Sequence, residues 1–288
     1  MRFLSSLFLF WTLTQVAGGQ PARVIVIGVD GLGGSAVRDA ATPRIHELMA
    51  RGSWTLKARA VIPTVSSPNW ASMIMGATPA HHGITSNEWM PDKFDLSPVC
   101  KGPSGLFPTV FAQLREGKPK LRIGIIHDWQ GYGRLVEPQA PNLLEHVKGS
   151  TAATDRAISW WRETKPDLLF LHLDDVDHAG HEKGWWTLDY YAAVTKIDGL
   201  IGRVMDAVKA AGLEATIVIL VTADHGGQGK SHGGLSSAHV EIPWIMAGPG
   251  VPKGRELQQP VDTFDTAPTL AKLFGVKPHA CWIGKPAI

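Results

Sequence analysis

Four strand-length apolar runs in this chain each lead straight into an aspartate. Arg23 to Val29 is followed by Asp30-Gly31, Leu121 to Ile126 by His127-Asp128, Asp167 to Leu173 by Asp174-Asp175, and Thr216 to Ala223 by Asp224-His225. Unbroken apolar runs of this length, rich in Val and Ile, are the signature of strands buried on both faces. Helical patterns separate them, over Pro43 to Arg51, Asn69 to Met75, Thr109 to Glu116, Ala152 to Arg162, Trp186 to Ala211 and Thr266 to Phe274. Strands alternating with helices predict an α/β fold, a mostly parallel sheet flanked by helices. In such open sheets ligands bind beyond the carboxyl ends of the strands, where Asp30, Asp174, Asp177 and Asp224 emerge.

At 288 residues, 44% hydrophobic and 19% charged, the chain is long enough for one sizeable core, and no shift in composition marks a second one. Asn87 to Pro108, rich in proline and glycine, is the least regular stretch and reads as a loop or small lid. The 28 basic residues nearly balance the 26 acidic ones without blocks of either sign, so no nucleic-acid-binding surface is evident. Arg2, the apolar run from Phe3 to Val16 and the small residues Ala17 to Gly19 read as a signal peptide over residues 1–19, cleaved near Ala17 to Gln20. The alternative, a membrane anchor, needs ~20 apolar residues, and this run is shorter. The expected product, residues 20–288, is a single compact domain, secreted or periplasmic, without a stable membrane span; its oligomeric state is open. Cys100 and Cys281 have no C-x-x-C partner, which excludes a zinc ribbon, and an oxidising compartment would permit a bridge between them.

Half of the twelve histidines fall between His172 and His239, several beside aspartates. Asp30, Asp177, His181, Asp224, His225 and His232 supply six ligands, and a hydroxyl would complete a site for two divalent ions. Three imidazoles favour zinc over magnesium or calcium, which prefer oxygen shells. Three carboxylates against two divalent cations leave net positive charge, suited to a small-molecule phosphate ester. The hydroxyl candidates lie in Pro63-Thr64-Val65-Ser66-Ser67-Pro68-Asn69-Trp70, where Pro68 marks a first helical turn and places Ser66 and Ser67 at a helix N-terminus that favours anions. Either serine could instead cap the helix.

These segments together resemble the alkaline phosphatase superfamily, and within it the type I phosphodiesterase/nucleotide pyrophosphatase family, from Arg23 to about Gly284. The resemblance rests on Val29-Asp30-Gly31, on Pro63 to Asn69, on Asp177 to His181, on Thr222-Ala223-Asp224-His225-Gly226 and on Lys230-Ser231-His232-Gly233, in family order. It implies an alkaline phosphatase-like fold. It also implies that Asp177, His181 and His232 hold one zinc ion and that Asp30, Asp224, His225 and the Ser66 oxygen hold the other. Ser66 would attack phosphorus to give a phosphoserine that water then hydrolyses, and Asn69 would donate to a non-bridging phosphoryl oxygen. The implied activity is hydrolysis of phosphate diesters or pyrophosphates. The alternatives are a phosphomonoesterase, another superfamily hydrolase such as a phosphonate hydrolase, and a non-catalytic metal-stabilised binding protein. Serine stands where the family generally has threonine, which leaves Ser67 as a rival nucleophile. His232 comes seven residues after His225 instead of after a long insertion, and His239 is a second candidate for the last ligand. No arginine lies within the motifs to grip the extra oxygen of a monoester.

Overall fold

A computed structural model describes residues 23–93 and 95–288, so the expected signal peptide at residues 1–19 lies outside the described residues. The strands are β1 (Arg23–Val29), β2 (Gly52–Arg59), β3 (Ile123–His127), β4 (Leu143–His146), β5 (Leu168–Leu173), β6 (Ile217–Ala223), β7 (Glu241–Ala247) and β8 (Arg255–Glu256). They form one sheet in the order β4-β3-β5-β1-β6-β7-β2-β8. The five strands from β4 to β6 are mutually parallel, and β7 runs antiparallel to both β6 and β2. Every residue of β3, β5 and β6 is buried, as expected for strands covered on both faces.

The helices are α1 (Ala36–Asp39), α2 (Pro43–Arg51), α3 (Ser66–Met75), α4 (Pro79–His82), α5 (Val110–Gly117), α6 (Ser150–Thr164), α7 (Asp175–Lys183), α8 (Leu188–Ala210), α9 (Ser237–Val240) and α10 (Thr266–Leu273). The expected strands and helices recur with shifts of a few residues at their ends. Local pattern does not mark α7, whose DVDHAGHEK carries no apolar stripe, or β2, β4 and β8, which are short or mix polar with apolar residues. Because β1, β5 and β6 are parallel neighbours, Asp30, Asp174 and Asp224 leave the sheet at one edge. Strand β2 runs parallel to β6 through the intervening β7, and its exit at the same edge delivers the chain to α3.

The stretch from Asn87 to Pro108 is turn-rich and carries an isolated bridge between Met90 and Lys93. Two adjacent residues tie it down: Val99 N–H donates to the His81 carbonyl, and Cys100 is disulfide-bonded to Cys281. Among the described residues no helix is long and apolar enough to cross a membrane. Closing a 181-residue separation, the disulfide restricts the unfolded chain strongly. Cys281→Ser is expected to lower unfolding stability by ~2–4 kcal/mol in a denaturant titration without reductant, and to speed proteolysis between Asn87 and Pro108.

Candidate active site

At the carboxyl edge of the sheet the side chains of Asp30, Asp177, His181, Asp224, His225 and His232 converge. Ligand atoms of Asp177, His181 and His232 lie within 4.8 Å of one another, and so do those of Asp30, Asp224 and His225. Asp177 and His181 are one turn apart on α7, which places both on one face, and their Oδ2 and Nε2 are 3.4 Å apart. His225 Nε2 lies 3.3 Å from Asp224 Oδ2 and 3.5 Å from Asp30 Oδ1. The rings of His225 and His232 stack at 4.0 Å between centroids, joining the two triads.

All three imidazoles are oriented in the same way. His181 Nδ1 faces the Lys230 carbonyl at 3.0 Å, His225 Nδ1 the Gly226 carbonyl at 2.9 Å, and His232 Nδ1 the Thr64 carbonyl at 3.0 Å. A carbonyl only accepts, so each Nδ1 carries the proton and each Nε2 presents a lone pair to the centre. Burial drives the His225 pKa down to about 3 and lowers that of His232, keeping both in the neutral, ligating form.

The carboxylates test whether cations fit. Asp30 Oδ1, Asp177 Oδ1 and Asp224 Oδ2 are buried without a hydrogen-bond partner. Burial, reinforced by the fields of Asp30 and Asp174, pushes Asp177 up to about 9; burial and the field of Asp30 push Asp174 up to about 7; burial, then Asp30 and Asp177, raise Asp224 well above the carboxylate range. Burial raises Asp30 too, but the His172 hydrogen bond, the fields of His225 and His172, and Trp70 Nε1–H outweigh it and hold Asp30 below the usual range. Bare carboxylate oxygens facing neutral imidazole lone pairs form a donor set for divalent cations, and the nitrogen-oxygen mixture suits zinc.

The hydroxyl sits at the N-terminus of α3. The N-cap is Val65 and no side chain caps the helix, so neither serine acts as a cap. Ser66 Oγ lies 3.4 Å from His225 Nε2. Ser67 Oγ instead accepts from the Arg134 guanidinium at 3.1 Å. Of the two serines, the structure brings Ser66 to the cluster. His239 instead binds Ser236 Oγ at 2.9 Å through Nδ1 and belongs to neither triad, and His178 pairs with Glu182 at an exposed position.

Asn69 requires a correction. It is fully buried, with Nδ2 donating to the carbonyls of Val61, Pro63 and Val65 and Oδ1 accepting from Val61 N–H at 2.7 Å. Both amide donors are spent on holding the loop that enters α3, leaving none for a phosphoryl oxygen. Another asparagine, Asn87, reaches the start of α3: its Oδ1 accepts from Ser67 N–H at 2.7 Å, a bond that does not use its own N–H groups. His172 was also unforeseen, because it lies inside a continuous apolar run. Register with Gly28 on β1 sets its Nε2 3.3 Å from Asp30 Oδ2. Trp70, from one turn into α3, donates to the same oxygen at 3.0 Å.

Gly31 permits a close approach of two backbone segments in the site. Its φ is +70°, and a Cβ there would lie 2.7 Å from the Asp177 Cα. Its carbonyl accepts from Trp185 Nε1 at 2.9 Å and Tyr190 Oη at 3.0 Å, fixing the turn that carries Asp30.

The family model for type I phosphodiesterase/nucleotide pyrophosphatase matches residues 24–233, most of the chain and every residue of the cluster. The chain belongs to this family. Rat ectonucleotide pyrophosphatase/phosphodiesterase family member 1 is 27% identical over 198 residues, 64% of this chain and 21% of the relative. Venom phosphodiesterase 2 of the rattlesnake Crotalus adamanteus is 23% identical over 225 residues, 73% of this chain and 27% of the relative. The chain thus matches about a fifth to a quarter of the length of these curated relatives. Among solved structures, murine ectonucleotide pyrophosphatase/phosphodiesterase 5 superposes with a TM-score of 0.74 at 15% identity, covering 89% of this chain and 96% of that one. The protein Ps i-CgsB superposes with 0.73 at 17% identity, covering 93% and 75%. At these identities the superpositions show the shared alkaline phosphatase-like fold, a single α/β domain.

Because the Asp177 pKa is raised from its ordinary value of 3.8, its contribution to stability is present at low pH and is lost as pH rises towards 9. In metal-free protein, Asp177→Asn is therefore expected to melt higher than the unsubstituted chain at pH 8, by a few degrees, with the advantage gone near pH 4. Zinc should raise the melting temperature of the unsubstituted chain more than that of the variant, both measured by calorimetry.

Proposed function

We propose that the chain is an exported two-metal hydrolase of phosphate esters, acting on diesters or pyrophosphates through a covalent intermediate on Ser66. The observation that carries this reading is the convergence of three orphaned carboxylate oxygens and three imidazoles in two adjoining triads, one of which meets the helix-terminal Ser66 Oγ at His225 Nε2. Asp177, His181 and His232 would hold one ion, and Asp30, Asp224, His225 and Ser66 the other. When bound, the ions would stabilise charge on the phosphoryl oxygens and favour the alkoxide form of a nearby hydroxyl.

The chain's own residues perform the rest. Ser66 Oγ, on its anion-favouring helix terminus, attacks phosphorus; the bond to the leaving oxygen breaks, and that oxygen departs with the electron pair and takes up a proton. Water then attacks the same phosphorus and frees Ser66 with its proton restored. Asn87 takes the role that Asn69 cannot fill, its Nδ2 donating to a non-bridging phosphoryl oxygen beside Ser66. Asn69 holds the approach loop, while Trp70 and His172 orient Asp30.

The substrate class is drawn from relatives whose names describe pyrophosphatases and phosphodiesterases, and one neighbouring structure, an inactive form of the murine protein, was solved in complex with AMP. Export is supported by the apolar leader at residues 1–19 and by the Cys100–Cys281 disulfide, a bond that persists in oxidising compartments. A second reading, phosphomonoester hydrolysis on the same residues, is favoured by one observation: an arginine from outside the motifs reaches Ser67.

Ser66→Ala is expected to abolish release of p-nitrophenol from bis(p-nitrophenyl) phosphate; turnover that survives in Ser66→Ala but disappears in Ser67→Ala would move the nucleophile to Ser67. Asn87→Ala should lower kcat by about 10²-fold, the scale of one lost oxyanion donor. Asn69→Ala should show itself first as a lowered melting temperature, since four hydrogen bonds, two of them buried, disappear with its side chain.

A further inference from the structure

Arg134 belongs to no motif and lies in the 3-10 turn Gln130–Leu135 that comes after β3. The turn carries its guanidinium to the nucleophile segment, where Nη2 donates to Ser67 Oγ at 3.1 Å and to the Asn87 carbonyl. Nη1 faces Met90 Sδ at 3.7 Å, and the guanidinium carbon sits 5.6 Å from the centroid of the Trp129 ring. All of these partners are neutral. Among the described residues no carboxylate lies within ion-pair distance of Arg134, which feels only the more distant field of Glu88 against its burial, whereas Arg44, Arg51, Arg59, Arg156 and Arg203 each pair with Asp or Glu. Its Nε is buried without a hydrogen-bond partner.

A half-buried, always-charged fork with neutral partners and an orphaned donor is costly to maintain as a purely structural feature. The same fork matches two oxygens of a phosphoryl group. Its position fixes which oxygens: it touches the hydroxyl next to Ser66 and the backbone of Asn87, the two residues that flank the reacting phosphorus in the proposed function.

Resting on that reading, we propose that Arg134 is a substrate-binding residue that recognises negative charge beyond the single charge of a simple diester, on or directly beside the reacting phosphoryl group. That charge has two sources, the additional oxygen of a monoester or the neighbouring phosphoryl group of a pyrophosphate. The Trp129 ring, 5.6 Å from the guanidinium carbon, adds a cation–π contact that helps hold the fork in place. A mononegative diester lacks this additional charge.

The test compares zinc-loaded unsubstituted protein with Arg134→Ala and Arg134→Lys on three substrates: bis(p-nitrophenyl) phosphate, p-nitrophenyl phosphate and a dinucleoside 5′,5′-diphosphate. The expected result is that Arg134→Ala lowers kcat/KM for at least one of the two more highly charged substrates by tenfold or more beyond its effect on the simple diester, with Arg134→Lys intermediate. Selective loss on the monoester assigns Arg134 to the reacting group's own oxygen, and selective loss on the diphosphate assigns it to the neighbouring one. An equal loss on all three, or no loss on any, overturns the proposal and leaves Arg134 as a support for Ser67 and Asn87. Where Arg134→Ala melts too low to be assayed, Arg134→Lys carries the same comparison. If the unsubstituted protein turns over none of the three, the hydrolase reading fails, and Arg134 is then judged by calorimetric binding of inorganic phosphate and pyrophosphate. Binding of either at least tenfold weaker in the variant upholds its role, and equal binding of both overturns it.

Discussion

Asp30, Asp177 and Asp224 bring three carboxylates to one buried point, and most of the local architecture exists to hold them there. Burial strips these carboxylates of water and, second to that, they repel one another in a medium that screens poorly, so Asp177 and Asp224 are driven towards their protonated forms. Positive charge supplied from outside the polypeptide resolves that conflict, and the polypeptide offers little of its own at this spot. The three imidazoles of the triads each turn Nδ1 to a backbone carbonyl, and burial keeps His225 and His232 neutral. The arrangement is therefore suited to cations, and the proposed nucleophile, oxyanion donor and substrate-binding arginine are assigned around it.

The sheet makes this concentration possible. Parallel strands β5, β1 and β6 are mutual neighbours, so the residues just past their carboxyl ends emerge at a common edge, and the buried strands give that edge a rigid base. The Asp30-Gly31 turn allows the backbone of α7 to approach within van der Waals distance, bringing Asp177 and His181 over the strand ends. Trp70, Trp185 and Tyr190 then commit their polar atoms to Asp30 and to the Gly31 carbonyl. Several of the chain's aromatic residues thus serve to position the acidic turn as well as to fill the core.

The parts legible in the sequence were those written in local pattern. Apolar runs ending on aspartate located the sheet edge, and Asp-x-x-x-His and Asp-His marked pairs of side chains that come together because helix and strand-end geometry makes such neighbours converge. The hidden parts depended on register or on long-range return of the chain. His172 is one residue in an apolar strand, and only its pairing with Gly28 sets it against Asp30. Asn69 is near Ser66 in sequence, yet one helical turn directs its amide back to the entering loop, whereas Asn87 returns to Ser67 after an intervening short helix. Arg134 lies sixty-eight positions beyond Ser66 in a turn without any motif, and no spacing rule would have brought it to the site.

The central claim, that this edge of the sheet is built for two divalent cations, is tested most directly by metal stoichiometry. Protein dialysed to equilibrium against micromolar zinc and analysed by inductively coupled plasma mass spectrometry should retain about two zinc ions per chain, as expected for a two-metal phosphoryl-transfer site. Retention of none, or of one ion that survives removal of either triad by substitution, would contradict it.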